Sequence, residues 1–406
     1  MPATSLAQGL LLPELRLLNV RFPRHSNLVE LHVEKTTDYE VCPRCATVAQ
    51  GVYDRRWVTA RDAPLRAKQV VLRIRKRRFR CPSCRKVFTE PVRGLRKWSR
   101  TTERYRKSLL WACETFSDLS AVRHTYRCSA GFLYKNLYAE LERRQRTRES
   151  PWPAVIGIDE HYFRRNKRLG IREFASVIVD YKGRRVKEVV EGRSAGQLSA
   201  ALGHIPGREN VQWVVLDLSD PFKHFARSFF PNAQLVADKF HVLRLLNPAI
   251  NRARKAITGD RRSLPIRRWL LTSGKRLARD KRARLLRWLN EHPELNQLYH
   301  AKESLHGFYR IKGYNRAAKV LTKITDTLAH SDVPELQTLR HTLMRWRNEI
   351  LAYFRRPLTN GRTEGFNNKA KVVKRRAYGY KSFRNYRLRL LNACAQKESR
   401  ARSTLK

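Results

Sequence analysis

The residues of this sequence with the clearest capacity for chemistry are four cysteines and three acids. Cys42-Pro-Arg-Cys45 is followed, after 35 residues, by Cys81-Pro-Ser-Cys84. Each Cys-x-x-Cys turn presents two thiolates, and two such turns close a tetrahedral Zn²⁺ site with no open coordination position, so a single zinc here is structural. The acids are Asp159, Asp217 and Glu364. Asp159 ends the apolar run from Ala154 to Ile158, Asp217 ends the run from Val211 to Leu216, and Glu364 is the one acidic residue between Leu351 and Gln396. Neither aspartate has a cation beside it at helical spacing, and a carboxylate at the end of a buried strand needs compensation. Two strand-end aspartates and a helical glutamate converging on one sheet edge would bind two Mg²⁺ ions, or Mn²⁺ in their place, about 3.5 to 4 Å apart. Such a pair activates one oxygen as nucleophile and stabilises another as leaving group. Asp220, three residues past Asp217, more plausibly caps the next helix.

These groups must be held by elements that the hydrophobic pattern outlines. Between the cysteine pairs, Leu72 and Ile74 alternate with Arg73 and Arg75, the period of a strand with one buried face, and Val29, Leu31 and Val33 alternate in the same way further upstream. Together with the cysteines this predicts a zinc ribbon within residues 1–95. Residues 96–150 read as helices: Tyr105, Leu109, Cys113 and Phe116 share a face, a short helix carries Leu119 and Val122, and Ser129 caps a helix with Phe132, Leu133, Leu137 and Leu141. That order suits a helix-turn-helix whose last helix offers Lys135 and Asn136 to a major groove. From residue 151 the pattern is α/β. Strands at 154–158, 174–179 and 186–190, a helix at 194–205, a strand at 211–216, a helix near 221–229 and a strand at 234–237 follow the order of an RNase H-like sheet. Residues 248–344 are helical and basic, and 345–406 bring Glu364 back to the sheet. The apolar stripe Leu336, Leu339, Leu343, Trp346, Ile350 and Tyr353 is core.

Composition bounds the partner. The 406 residues carry 86 Lys plus Arg against 35 Asp plus Glu, a formal charge of +51, on a chain that is 42% hydrophobic and therefore able to bury several cores. Such a charge calls for a polyanion, and nucleic acid is the leading candidate. Near the C-terminus Lys369, Lys371, Lys374, Arg375 and Arg376 precede Tyr378, Tyr380, Phe383 and Tyr386. The run is either a phosphate clamp with aromatics that stack on distorted DNA ends or a solvated face over core aromatics. No apolar run reaches the ~20 residues of a membrane span and no signal peptide stands at the N-terminus, so a cytoplasmic protein with no membrane partner is expected. Cys113, Cys128 and Cys394 are scattered among apolar positions, which is not a disulfide framework.

The sequence resembles the ISL-three family of bacterial insertion-sequence transposases. The likeness rests on Gly157-Ile158-Asp159-Glu160, Val215-Leu216-Asp217, Ala237-Asp238-Lys239-Phe240-His241, the segment from Thr359 to Asn368, and the cysteine ribbon with Arg78-Phe79-Arg80 and Phe88. It implies that Asp159, Asp217 and Glu364 are a DDE triad, that Asp238 and His241 match a DxxH signature in a supporting role together with Asn360 and Asn367, and that 248–344 is an insertion interrupting the RNase H-like fold. The implied activity is binding of terminal inverted repeats, metal-dependent cleavage at the element's 3′ ends and their transfer to target DNA. Double-stranded DNA would be the partner, a homodimer or larger assembly would join two ends, and the protein would work at the bacterial nucleoid. Two rivals are a catalytically inactive DNA-binding regulator on the same scaffold, which the intact triad opposes, and an RNA-binding protein, which leaves the acids unexplained.

Overall fold

The computed structural model describes residues 11–24, 26–65, 68–116, 118–166, 170–259 and 265–395. Residues 396–406, the end of the segment 345–406 expected to complete the catalytic domain, lie outside the described residues. The chain divides into two compact units, 1–143 and 144–406. Among the described residues no helix is long and apolar enough to cross a membrane.

The first unit is built on strands β1 (Leu15–Arg21), β2 (Leu28–Lys35), β5 (Val52–Leu65) and β6 (Lys68–Arg80), in the order β1-β2-β6-β5, with the short β7 (Val87–Thr89) pairing with the far end of β6. The period-2 alternation does what it predicts: Val70, Leu72 and Ile74 of β6 are buried with Val33 and Ala60, while Arg73 and Arg75 point to the other side. Strands β3 (Glu40–Val41) and β4 (Val48–Ala49) form a small hairpin around the first cysteine turn. Three helices follow. Thr102 caps α1 (Glu103–Thr115) and Asp118 caps α2 (Leu119–Thr125). The Ser129 hydroxyl accepts from the Phe132 N–H at the start of α3 (Ala130–Thr147). Tyr105, Leu109, Cys113, Val122, Leu133, Leu137 and Leu141 are buried as expected. Phe116 is not: α1 ends at Thr115, and the extended backbone of Phe116 turns its ring outward.

The second unit centres on a five-stranded sheet ordered β10-β9-β8-β11-β12, formed by β8 (Val155–Arg165), β9 (Arg172–Asp180), β10 (Arg185–Glu191), β11 (Trp213–Leu216) and β12 (Gln234–Ala237). The first three are antiparallel neighbours, and β11 runs parallel to both β8 and β12. Helices α4 (Ala195–Leu202) and α5 (Asp220–Phe229) pack on one face through Leu198, Leu202, Phe222, Phe225 and Phe229, and that core continues into the helices beyond. These are α6 (Lys239–Arg244), α7 (Asn247–Thr258), α8 (Pro265–Leu271), α9 (Arg279–Asn290), α10 (Pro293–Phe308), α11 (Tyr314–Ala329), α12 (Pro334–Arg345) and α13 (Arg347–Ala352). The stripe expected on one helix is shared by α12 and α13, which break at Trp346, and Leu336, Leu339, Leu343, Trp346 and Ile350 are all buried. The opposite face of the sheet is covered by α14 (Gly361–Arg376) and α15 (Phe383–Ala393) through Ala370, Tyr386, Leu390 and Leu391. The sheet is thus sealed on both faces, leaving its strand ends as the accessible chemistry.

Candidate active site and metal centre

The two cysteine turns are built alike. The N–H of Ala46 returns to the Cys42 carbonyl at 2.9 Å, the N–H of Arg85 returns to the Cys81 carbonyl at 3.1 Å, and both Ala46 and Arg85 sit in the left-handed region. Each turn lies at the tip of a short hairpin, β3–β4 in one case and β6–β7 in the other. Across the pair, Cys42 Sγ is 3.6 Å from Cys84 Sγ and Cys45 Sγ is 3.4 Å from Cys81 Sγ. Tetrahedral Zn–S bonds of about 2.3 Å place sulfurs about 3.8 Å apart, so the four thiols fit zinc closely. Among the described residues this is the one group of three or more His, Cys, Asp and Glu whose ligand atoms all lie within 4.8 Å of one another.

In the second unit, register sets the acids. Ile158 of β8, Leu216 of β11 and Ala237 of β12 are aligned across three parallel strands, and each is followed by an aspartate: Asp159, Asp217 and Asp238. The expected strand ending at Asp159 is in fact longer. β8 continues to Arg165 as a hairpin with β9, because His161 and Phe163 turn inward against Tyr386 and extend the apolar face past the acid. Asp159 therefore stands inside a strand, at the level where pairing to β11 stops.

The three aspartates meet different surroundings. Asp238 is buried and caps α6; one oxygen accepts the Asn360 N–H at 2.8 Å and the other faces His241 Nδ1 at 2.9 Å. That contact raises the His241 imidazole above its ordinary value despite partial burial, with the charges of Asp217 and Asp159 adding to it. Asp159 accepts the Glu160 N–H on one oxygen and the Asn367 amide on the other, both within 2.9 Å, and burial lifts its carboxyl above the usual range. Asp217 has no such support: its Oδ1 is buried without a hydrogen-bond partner. Burial first, then the charge of Asp159, push the Asp217 carboxyl up to about 7. Two neighbouring carboxylates, one with an orphaned oxygen, are a donor set that a hard divalent cation would satisfy.

Helix α14 brings the remaining residues. Its Asn360, Thr363, Asn367 and Ala370 are buried against the sheet. Asn360 Nδ2 donates to the Ile158 carbonyl and Asn367 Nδ2 to Asp159, so both touch the strand that bears the first acid. Glu364 lies on the same turns, but its side chain is exposed and does not join Asp159 and Asp217 as one ligand group. Asp220 opens α5 and pairs with Arg345 at 2.6 Å, away from the acids.

Two contributors escape a reading of the sequence. The Tyr181 hydroxyl donates to the Thr359 carbonyl at 2.8 Å, and Thr363 lies over Gly157. The available signal was Gly157 itself, a glycine inside an apolar strand, which marks close approach of another element. A β-carbon there would stand 2.6 Å from Tyr181 Cε2 and 2.7 Å from Thr363 Oγ1. Gly157→Ala is therefore expected to displace the start of α14, costing about 1 to 3 kcal/mol and most of any activity at this site. Wild-type melting and wild-type cleavage in that variant would sink the close-packing account.

The candidate DNA contacts separate. Lys135, Lys369, Lys371, Arg375 and Arg376 are exposed. Asn136 is half-buried, with its amide donating to the Phe132 carbonyl one turn back at 2.8 Å, so it is not a free reader. Lys374 is half-buried as well, bonded to the Tyr162 carbonyl and lying over that ring. Of the C-terminal aromatics, Phe383 and Tyr386 pack with Phe163, Tyr380 packs half-buried on Tyr386, and only Tyr378, 96% exposed, is free to stack.

Comparison with known proteins adds three findings. A family model described as a transposase, of the DDE ISL-three group, matches residues 156–390. A second, described as the zinc-finger of transposase IS204/IS1001/IS1096/IS1165, matches residues 38–84. The transposase for insertion sequence element IS1001 of Bordetella parapertussis is 26% identical over 367 residues, covering 87% of this chain and 88% of that protein.

Proposed function

Since the chain belongs to the ISL-three family of transposases, we propose that it binds the terminal inverted repeats of an insertion sequence, cleaves the element's 3′ ends and joins them to target DNA. The observation that carries this reading is the alignment of Asp159 and Asp217 at adjacent strand positions, with helix α14 docked on the same strand by Asn360 and Asn367. Glu364 would complete a DDE triad from that helix. The sheet order β10-β9-β8-β11-β12, with helices on both faces, supports an RNase H-like catalytic domain formed by 151–247 and 345–406 and interrupted by the helical insertion 248–344. In the same reading 1–95 is the zinc-ribbon region and 96–150 a helix-turn-helix, and the inactive-regulator alternative is not favoured.

Mg²⁺ ions held by the three carboxylates would supply activation of the attacking oxygen and stabilisation of the leaving one. The chain's own residues do the positioning. Asn367 and the Glu160 N–H fix both oxygens of Asp159, so its orientation does not depend on substrate. Asp238 ties the N-terminus of α14 to the end of β12, and Tyr181 holds the preceding residue, so the helix bearing Glu364 is clamped from two sides. His241, kept on Asp238 by a contact that favours its protonated form, places its ring beside the acids where a scissile phosphate would approach. Lys369, Lys371, Arg375 and Arg376 would lie along the DNA backbone. Two ends must be held together for transfer, which calls for a homodimer or larger assembly on DNA in the bacterial cytoplasm.

The test is cleavage of a labelled duplex carrying the element's own terminal repeat. In Mg²⁺ a nick at the element's 3′ end is expected, with none in EDTA and none on a scrambled repeat. Absence of product in both Mg²⁺ and Mn²⁺, from protein that binds the repeat, would overturn the catalytic reading.

A further inference from the structure

One face of the N-terminal sheet is core, and the other carries a different chemistry. Pairing of β5 with β6 places Trp57 opposite Arg75 and Thr59 opposite Arg73, and pairing of β2 with β6 places His32 beside Arg73. Trp57 stands on the edge strand β5, 53% exposed, and its ring meets the His32 ring of β2 edge-on at a centroid distance of 5.5 Å.

The glutamates on this face hold the arginines in place. One oxygen of Glu34 accepts from Arg16 and the other from Arg75, each with a 2.9 Å bond to Nε, while Glu30 lies 3.6 Å from Arg73. Arg73 also donates to the Thr59 hydroxyl at 2.9 Å. Arg16, Arg73 and Arg75 still leave 40 to 56% of their side chains open. Arg55, two residues before Trp57 on β5, is exposed too, whereas Arg61, four residues beyond it, donates to the Arg127 carbonyl at 2.6 Å. Four arginines thus face two glutamates around one open indole, and three of the four have guanidinium positions fixed in advance.

We propose that this face binds single-stranded DNA, with one unpaired base stacked on Trp57 and the neighbouring phosphates seated on Arg73 and Arg75. The proposal rests on the transposase reading for its choice of DNA. Charge complementarity selects a polyanion, and the indole selects its form. In an intact duplex the bases stack on one another and offer no face to a side chain, so a duplex would use the arginines and leave Trp57 idle. An unpaired strand engages both, because every base has a π-face and every step a phosphate. Fixing the arginines beforehand lowers the entropy lost when the strand settles. The ligand is then an unpaired stretch at a processed or melted DNA end, and the zinc turns, at the β6–β7 end of the same sheet, anchor the platform.

The experiment uses the full chain and two probes: a labelled oligo-dT of about 15 nucleotides and an intact terminal-repeat duplex. Trp57→Ala is expected to weaken the single strand about tenfold or more and to leave duplex binding unchanged, with Trp57→Phe recovering most of the loss. Arg73→Ala and Arg75→Ala should each flatten the salt dependence of strand binding by about 0.7 in log–log slope. Zinc content of each variant reports that the unit is folded. Unchanged strand binding in zinc-loaded Trp57→Ala overturns the proposal, as does an equal loss on the duplex or tighter binding of the wild type to RNA of the same length. The two readings fail separately. A wild type that cleaves repeats while Trp57→Ala keeps its strand affinity sinks the platform alone. A wild type that never cleaves, but whose Trp57→Ala loses the strand, sinks the catalytic reading alone.

Discussion

Asp159→Ala, Asp217→Ala and Glu364→Ala are each expected to lower Mg²⁺-dependent cleavage of terminal-repeat DNA by at least about a thousandfold, with repeat binding kept within a few fold. In the proposed triad the three serve one cation site, and on that reading a double variant should be no worse than a single one. The surroundings of each residue sharpen the expectation. Asp217, with its orphaned oxygen and raised carboxyl, loses least in folding when replaced: Asp217→Asn removes a costly buried charge, and its melting temperature should equal or exceed that of the wild type. Asp159→Ala strands the Asn367 amide and should lower it. Glu364→Ala touches nothing buried and should leave melting unchanged. A variant retaining near wild-type turnover in Mg²⁺ would remove that residue from the triad, whatever its effect on stability.

Cys42→Ser and Cys81→Ser are expected to abolish zinc binding and to unfold the sheet of residues 1–95. Structural zinc supplies about 10 to 16 kcal/mol of apparent binding energy in small sites, more than a domain of this size holds in reserve. The wild type should carry one zinc per chain by elemental analysis. Each variant should carry little, lose repeat binding, and show proteolytic cleavage within 1–95 while 144–406 resists. Wild-type protein with no zinc, or a Cys81→Ser variant that keeps zinc and protease resistance, would reject a structural metal. The core of this sheet is modest, with Leu72, Ile74, Val33 and Ala60 at its centre, which is why loss of the metal should be felt throughout it.

How much of this was legible depended on whether the deciding partner lay near in sequence. The zinc centre was readable because its whole definition is local: two turns, each complete in four residues, with β-alternation between them. Asp217 and Asp238 were readable because apolar strand and acid are adjacent. The true length of β8 was not, since His161 and Phe163 read as part of a polar stretch until Tyr386, 225 residues from His161, supplies the surface they bury against. The same distance hid the fate of the C-terminal aromatics. Tyr378 and Tyr380 are two residues apart and of one type, yet the first is in solvent and the second half-buried against Tyr386 of α15, a difference not set by their neighbours in sequence. Asn136 fell on the polar side of α3 by helical spacing, but its amide reaches back one turn to share the Phe132 carbonyl of its own helix.

The hydrogen bond from Asn367 to Asp159 joins residues 208 apart. A ribosome adding roughly 5 to 20 residues per second takes about 10 to 40 s to make that stretch. Once Asp238 has been made, a nascent chain has its zinc ribbon, its three N-terminal helices and all three strand-end aspartates, but no α14. Closing so long a loop is among the slowest steps of folding, and it cannot begin until nine-tenths of the polypeptide exists. A chain that ends anywhere between 238 and 359 would therefore carry Asp159, Asp217 and Asp238 but neither Asn360 nor Asn367, leaving one oxygen of Asp159 and one of Asp238 without the partners that orient them in the complete fold.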